Sequence, residues 1–180
     1  PAVVKRVNTE ELRVATFREI VDNYLTKDII KLLRISDTET FYTIVKLLAY
    51  EIGNLILYDS LANDAHSYFK EIKHYLGVLE ETYILERVIP YYKSKITELK
   101  KNPKVYFIDT GLRNFVINNF LPFEKRSDVG ALVENFVFSE FKKNLPDEMT
   151  IKYWRTEGKA EVDFVIDAVS SRIPVEVKYT

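Results

Sequence analysis

The first third of the chain carries hydrophobic residues at helical spacing. Residues 10–35 follow an i, i+3, i+4 pattern, which predicts a helix with one apolar stripe. The stripe comprises Phe17, Ile20, Val21, Tyr24, Leu25, Ile29, Leu32 and Leu33. Ser36-Asp37 interrupts the pattern, and Thr38 or Thr40 is in position to cap a second helix over 41–50.

Two further helices and two strands are predicted next. A short helix over 58–64 and a turn at Ala65-His66-Ser67 precede a helix over 68–83. The apolar face of that helix comprises Phe69, Ile72, Leu76, Leu79 and Tyr83. The segments ILERVIPYY and PKVYFID are β-prone and flank KSKITELKKN. Three helices followed by a two-stranded hairpin is the plan of a winged helix-turn-helix, here over residues 37–110.

Lysines are concentrated where this plan makes contacts with DNA. Five lysines lie between positions 93 and 104, in the expected wing, and two more lie off the apolar face of the 68–83 helix. We expect phosphate contacts from Lys70, Lys73, Lys93, Lys95, Lys100 and Lys101. The alternative is a solvated lysine-rich loop on a winged helix that serves protein contacts.

The last fifty residues predict an α+β unit beyond a polar boundary at 124–128. A turn at Asp109-Thr110-Gly111 leads into a helix over 112–120. The next helix, ALVENFVFSEFKKNL, is expected to pack through Val133, Phe136, Val137 and Phe141. Strands over 151–155, 160–167 and 173–179 follow, with a hairpin turn at Glu157-Gly158-Lys159.

The last two strands place acidic side chains together. Strands alternate their side chains between faces, so Val162, Phe164 and Ile166 share one face. Glu161 and Asp163 then lie on the other face, and in the next strand Val175, Val177 and Tyr179 are opposed to Glu176 and Lys178. The apolar set predicts the buried side of the sheet.

The opposite face has the composition of a metal-dependent phosphodiesterase site. Mg²⁺ takes oxygen ligands, here Asp163, Glu176 and the Val177 carbonyl. Such a metal polarises a phosphate and lowers the pKa of bound water, and Lys178 is placed to orient that water. Asp163 and Glu176 are thirteen residues apart, which is enough for one strand to end and the next to return beside it.

Composition narrows the classes of protein. The 180 residues carry a net charge of −1 and no cysteine, which excludes disulfides, thiolate metal sites and cysteine nucleophiles. A nucleic-acid partner must therefore be met by a local basic patch. No apolar run has the length of a membrane span and no signal peptide is evident, so we expect a cytoplasmic protein with no membrane partner. Both ends look cut, and we expect a fragment of a longer chain.

Six segments, in this order along the chain, resemble known families. YLTKDIIKLLRI, LANDAHSYFKEIKHYLGVLEETYIL and PKVYFIDTGL are similar to the C-terminal domain of unknown function of archaeal and bacterial AAA-type P-loop ATPases. GALVENFVFSEF, YWRTEGKAEVDFVID and IPVEVKYT resemble the PD-(D/E)XK nuclease-like superfamily. The resemblance implies an α+β chain with a helical linker over 1–36, a winged helix over 37–110, a connection over 111–127, and a nuclease-like core, incomplete at its end, over 128–180.

The resemblance also implies a set of site residues. Glu134 corresponds to the acidic residue of the first core helix, Asp163 to the motif aspartate, and Glu176 and Lys178 to the E-x-K pair. The implied catalytic residues are these four, and Glu134, Asp163 and Glu176 are the implied ligands of Mg²⁺. Glu161 shares their face and ranks lower.

Departures from the family pattern leave the function open. No G-x-x-x-x-G-K-[ST] is present, so ATP is expected only in an N-terminal ATPase domain outside this sequence. The turn has His66, which tolerates a left-handed conformation, and Tyr68 in place of a capping hydroxyl. We expect a DNA-binding ATPase module with a nuclease-like site; the alternatives are a non-catalytic interaction or assembly module and a winged-helix transcription regulator. The sequence decides neither cleavage activity nor DNA preference, biological process or oligomeric state.

Overall fold

The chain begins with a helix that packs one buried edge against the rest of the protein. The computed structural model describes residues 9–24, 29–30, 35–158, 160–168 and 170–179. Helix α1, Glu10–Asn23, begins at Thr9, whose hydroxyl accepts a hydrogen bond from the Leu12 amide. Val21 and Ile29 are buried as predicted, whereas Ile20 is exposed and that prediction is wrong. Leu25, Leu32 and Leu33 lie outside the described residues.

Three helices form the first core. They are α2, Thr38–Tyr50, α3, Tyr58–Asp64, and α4, Phe69–Glu81. Helix α2 is capped by Asp37, whose Oδ1 accepts from the Thr40 amide at 3.0 Å, so the predicted threonine caps are wrong. The α3–α4 turn contains His66 at φ 50°, the left-handed conformation that was predicted.

The buried face of α4 is narrower than the pattern predicts. Ile72, Leu76 and Leu79 are buried, but Phe69 and Tyr83 are exposed. Helix α4 ends at Glu81, and Tyr83 adopts φ 55°, which turns its side chain off the helical stripe. Tyr68, at the N-cap, makes no side-chain capping bond.

A two-stranded sheet, the first sheet, follows the helices. Strands β1, Leu85–Val88, and β2, Lys104–Phe107, pair antiparallel as predicted. The segment between them is not an open loop, because it contains helix α5, Lys95–Lys100, capped by Ser94. All four residues of β2 are buried, with Val105 and Phe107 in the first core and Tyr106 in a second one.

The C-terminal half is a helix on a three-stranded sheet. Helix α6, Thr110–Val116, ends earlier than predicted, and Asn118 at φ 51° leaves the helical path. A 3₁₀ turn, Phe123–Lys125, leads to α7, Val129–Asn144. The second sheet has the antiparallel order β3, Thr150–Arg155, β4, Glu161–Asp167, and β5, Arg172–Val175.

Helix α7 packs through part of the predicted face. Val137 and Phe141 pack against the second core as predicted, whereas Phe136 is 51% exposed and that prediction is wrong. Its buried residues are Val129, Leu132, Asn135, Phe138 and Ser139, and one of them is a polar amide. Asn135 Oδ1 accepts from the Phe107 amide and its Nδ2 donates to the Phe107 carbonyl, both at 2.8 Å. The Asn135 side chain thus satisfies the backbone N–H and C=O of Phe107 at the outer edge of β2, and it turns this side of α7 toward the first sheet.

The two sheets are joined at Tyr153. Pro90 bridges to Tyr153 in parallel, and the Tyr91 amide donates to the Tyr153 carbonyl at 2.6 Å. The second core unites Val88, Tyr106, Phe138, Tyr153 and Phe164 from both halves. The described residues therefore form a mixed helix and sheet structure with two adjoining cores. No helix among them is long and apolar enough to cross a bilayer.

Candidate functional site

A β-bulge places Asp163 at the junction of the two sheets. Lys152 pairs with Val165 and Trp154 pairs with Val162, so Tyr153 alone lies opposite both Asp163 and Phe164. A bulge of this kind re-aims side chains and breaks the alternation of a strand. The predicted face of Val162, Phe164 and Ile166 is accordingly wrong at its first member, because Val162 is half-buried while Val165 is buried.

Glu134 reaches this junction from α7 and meets two side chains of β2. The Tyr106 hydroxyl donates to Glu134 Oε1, and Lys104 Nζ lies 3.4 Å from the same oxygen. Lys104 and Tyr106 are two residues apart on β2, so they project to the same face. Gly53, at φ 76°, leaves room for the carboxylate, because a Cβ there would lie 3.2 Å from Glu134 Oε1.

Lys104 is the cation at the centre of the cluster. Its side chain is 2% exposed, and its ammonium also pairs with Glu161 Oε1. Arg155 Nη1 holds the other oxygen of Glu161 at 3.0 Å. The ring of Tyr153 lies 5.7 Å from Lys104 Nζ. The charges of Glu134 and Glu161 are therefore balanced within the protein. We call Lys104, Glu134, Glu161 and Asp163 the carboxylate–lysine cluster.

The cluster perturbs its own titratable groups. Burial raises the pKa of Glu134, against the lowering effect of the Lys104 charge and the Tyr106 hydrogen bond, and the nearby Asp163 charge adds to the rise. Burial also raises the pKa of Tyr106 well above its ordinary value, followed by the charges of Glu134, Asp163 and Glu161. The Asp163 charge thus acts on Glu134, and their role as two residues of one site stays a prediction.

The E-x-K segment lies beside Asp163 through its backbone. Asp163 Oδ2 accepts from the Val177 amide at 2.8 Å. Val175 and Val177 pack against the second core, whereas Glu176 and Lys178 are exposed. Neither of these two side chains makes a hydrogen bond or ion pair within the described part of the chain. Strand β5 ends at Val175, short of the predicted 179.

The predicted ligand set does not form a cage around a cation. Over the ranges that the structure describes, no group of three or more His, Asp or Glu residues is arranged to hold a metal ion. Glu134 and Asp163 lie together, Glu176 is directed to solvent, and the Lys104 ammonium lies against the carboxylates. As they stand, these residues do not fit Mg²⁺, because the Lys104 ammonium already pairs with Glu134 and Glu161 and Glu176 is exposed.

A second buried ion pair fixes α5 to the second sheet. Lys152 Nζ lies 2.9 Å and 3.0 Å from the two oxygens of Glu98, and 3.2 Å from Asp167 Oδ2. Lys95 joins the same group at 3.3 Å from Glu98 and 3.8 Å from Asp167. Of the lysines predicted to contact DNA, Lys95 is therefore already engaged by acidic partners.

Other lysines of that set border an open cleft between α4 and the end of α5. The cleft has a volume of about 580 Å³ and is lined on its basic side by Lys73, Lys100 and Lys101. Lys73 Nζ lies 4.7 Å from the centre of the Phe69 ring, a cation–π distance. Lys70 and Lys93 are exposed outside the lining residues. The exposed Leu99 adds an apolar wall.

Three residues of the junction were not predicted from the sequence as parts of a site. From the sequence, Lys104 is interpreted only as one of the five lysines of the wing. Side chains alternate between the faces of a strand, however, so Lys104 and Tyr106 are expected on the same face. Asn135 is a polar residue within an apolar helical stripe, and that is the signal for its buried role. The pairing partners of all three residues come from distant parts of the chain.

Comparisons with known proteins match two regions of the chain. A family model described as a domain of unknown function, DUF8612, matches residues 1–122, and another, DUF4143, matches residues 129–180. Uncharacterized proteins of Mycobacterium bovis and Mycobacterium tuberculosis are each 25% identical over 183 residues, which cover 100% of this chain and 41% of theirs. An uncharacterized protein of Haemophilus influenzae is 24% identical over 99% of this chain and 43% of its own. No solved structure matches. The chain thus spans less than half the length of these relatives.

Proposed function

The chain belongs to DUF8612, a family of domains of unknown function, and on that premise we propose that it is a DNA-binding module of a P-loop ATPase. The observation that carries the proposal is the cleft on which Lys73, Lys100 and Lys101 converge. No acidic residue pairs with any of these three lysines among the described residues. Such a surface attracts phosphates and releases their counterions.

The order of elements supports a winged-helix interpretation. In this reading α3 and α4 are the helix-turn-helix, α4 is the recognition helix, and the β1–α5–β2 segment is the wing. Lys70 and Lys73 lie on α4, and Lys100 and Lys101 follow α5. The wing is held rigid by the Glu98–Lys152 pair, so its free end approaches α4 and both elements present lysines to one backbone. Contacts of this kind position a protein on DNA without reading its sequence.

The ATPase part of the proposal rests on the second matched region and on chain length. DUF4143 is commonly found with AAA ATPases, and the relatives are more than twice as long as the aligned chain. We place the ATP site in an ATPase domain N-terminal to this segment. The DNA-binding module would then couple nucleotide hydrolysis to a nucleic-acid partner.

Salt-dependent binding tests the DNA contacts directly. We expect Lys100→Ala/Lys101→Ala to weaken binding to duplex DNA and to lower the slope of log K against log salt by roughly two phosphate contacts, each worth about 0.9. The matched control is Lys46→Ala/Lys125→Ala, which removes two exposed charges that do not line the cleft. Equal slopes for the two double variants would refute the assignment of the cleft.

Cleavage of DNA is a separate prediction of the nuclease-like resemblance. The resemblance assigns it to Glu134, Asp163, Glu176 and Lys178 with Mg²⁺, although as they stand these side chains do not surround a cation. Incubation of the protein with plasmid and Mg²⁺ or Mn²⁺ measures nicking, and Glu176→Ala abolishes any nicking that depends on this site. Nicking that persists unchanged in Glu176→Ala would assign it to another source.

A protein-interaction module is the second candidate, favoured by exposed apolar side chains beside the cleft. Phe69 and Leu99 line the cleft and are 45% and 78% exposed, and Tyr68, next to Phe69 in the chain, is 79% exposed. Aromatic and aliphatic side chains of this size mark contact surfaces when they cluster. A partner bound through them is insensitive to salt, whereas DNA binding falls steeply as salt rises. Titration from low to high salt separates the two functions.

A further inference from the structure

We propose that Lys104 is the resident cation of the carboxylate–lysine cluster, with its ammonium in the place that a divalent metal ion would take. The proposal concerns the junction of the two sheets and does not depend on DNA binding at the α4–α5 cleft. Lys104 lies outside the E-x-K motif and enters the cluster from the other half of the chain.

The ammonium has the surroundings of a bound cation. It contacts one oxygen of Glu134 and one of Glu161, and it lies near the ring of Tyr153. Its own side chain is 2% exposed, so few of these contacts are shared with solvent. A buried lysine of this kind is retained in its charged form only when carboxylates compensate it. The carboxylates of Glu134 and Glu161 therefore bind the Lys104 ammonium.

One oxygen of Glu134 and one of Asp163 also accept hydrogen bonds within the protein. Tyr106 donates its hydroxyl proton to Glu134 Oε1, and the Val177 amide donates to Asp163 Oδ2. Each of these bonds uses a lone pair that a metal would need. A divalent ion at this point would also lie within a few ångströms of the positively charged Lys104 ammonium. The repulsion would lower the affinity for the ion several-fold compared with a site that has a neutral neighbour. The cluster thus acts as a structural joint, which fastens β2 to α7 and β4.

Removal of the ammonium should open the site to metal. Lys104→Met preserves the length of the side chain and its apolar stem but leaves Glu134 and Glu161 without their cation. We expect this variant to bind Mn²⁺ about tenfold or more tightly than the unchanged protein, measured by calorimetric titration without nucleotide. Mn²⁺ should also raise its melting temperature. Lys104→Arg, which keeps the charge, should gain no affinity.

The double variant Lys104→Met/Glu134→Gln assigns the new binding to this cluster. It should lose the affinity that Lys104→Met gains, because one of the two freed carboxylates is gone. A folded Lys104→Met protein that binds Mn²⁺ no better than the unchanged chain would overturn the proposal. So would a gain of equal size in Lys104→Arg.

A measurement on the unchanged protein does not depend on the folding of any Lys104 variant. Mn²⁺ broadens the magnetic resonance signals of amides near its binding site. We expect the amides of Gly53 and Val177, which flank Glu134 and Asp163, to stay sharp at Mn²⁺ concentrations that saturate ordinary carboxylate sites. Selective broadening of these two amides, absent in Glu134→Gln, would show that a metal displaces Lys104 and would refute the inference.

Discussion

Asp128 is a carboxylate that two arginines hold in its charged form. Arg126 Nε lies 2.8 Å from Asp128 Oδ1, and Arg113 pairs with Oδ2. Arg113 is almost fully buried and also donates from Nε to the Ala49 carbonyl at 2.8 Å. The hydrogen bonds from Arg126, followed by those from Arg113, lower the pKa of Asp128 from 3.8 to about 2. This residue therefore joins the start of α7 to α6 and α2.

Replacement of Asp128 should make stability less sensitive to acid. A carboxyl whose pKa is lowered on folding stabilises the protein above its unfolded pKa, and the stabilisation is lost as pH falls through the folded pKa. Asp128→Asn should cost about 2 kcal/mol at pH 7, from the pKa difference alone. The difference between the two proteins should shrink between pH 4 and about pH 2. Urea unfolding at a series of pH values measures it.

A constant difference across that window would contradict the electrostatic explanation. Asp147→Asn is the matched control, because Asp147 is exposed and makes no ion pair among the described residues. Because it breaks no ion pair, it should change the unfolding free energy at pH 7 far less than Asp128→Asn does.

At the scale of elements, α5 is held in place by charge rather than by apolar packing. Its two largest apolar residues, Ile96 and Leu99, are exposed, whereas Glu98 is buried against Lys152 of β3. The Tyr92 amide also donates to Glu98 Oε1 at 3.0 Å. Helix α5 is therefore positioned by its polar anchor, the buried Glu98–Lys152 ion pair, and not by its exposed apolar side chains.

Loss of the anchor should release α5 and destabilise the chain. Lys152→Met leaves Glu98 with only the exposed Lys95 as a cation, and removal of one partner of a buried pair costs about 3–5 kcal/mol. Lys143→Met, at the exposed Glu140–Lys143 pair, should cost at most about 1 kcal/mol. A double-mutant cycle with Glu98→Gln should give a coupling of about 1–3 kcal/mol. A coupling energy near zero would show that the Glu98–Lys152 pair does not anchor α5.

Local patterns predicted most elements, and long-range polar contacts account for most of the misses. The helix at 58–64 was predicted with the correct bounds because its limits depend on nearby residues. Helix α7 was predicted in place, but Phe136 of its predicted face is exposed, and the buried Asn135 bonds to a strand 28 residues away. The wing was expected as a loop because the Glu98–Lys152 partnership spans 54 residues. Periodicity carries no information about such partners.

At the scale of the whole molecule, strand spacing and the family resemblance together predict Glu134 and Asp163 as site residues. The structure shows that the charge of Asp163 raises the pKa of Glu134. The bulge at Asp163 and the entry of Lys104 come from pairing between the halves, which the C-terminal sequence alone does not contain. The site is therefore a product of the contact between the two matched family regions.

We expect the second core to make the two halves unfold as one cooperative unit, because Phe138 of α7 stacks on Tyr106 of β2 with 4.8 Å between ring centres. Phe138→Ala should lower the unfolding free energy by about 3–5 kcal/mol, whereas the half-exposed Phe136→Ala on the same helix should cost far less. Trp154 fluorescence reports the second sheet, and hydrogen exchange of the β2 amides reports the first. Both should shift together in Phe138→Ala, since the lost contacts belong to both sheets. A shift of the Trp154 transition alone, with β2 protection unchanged, would mean that the halves unfold independently.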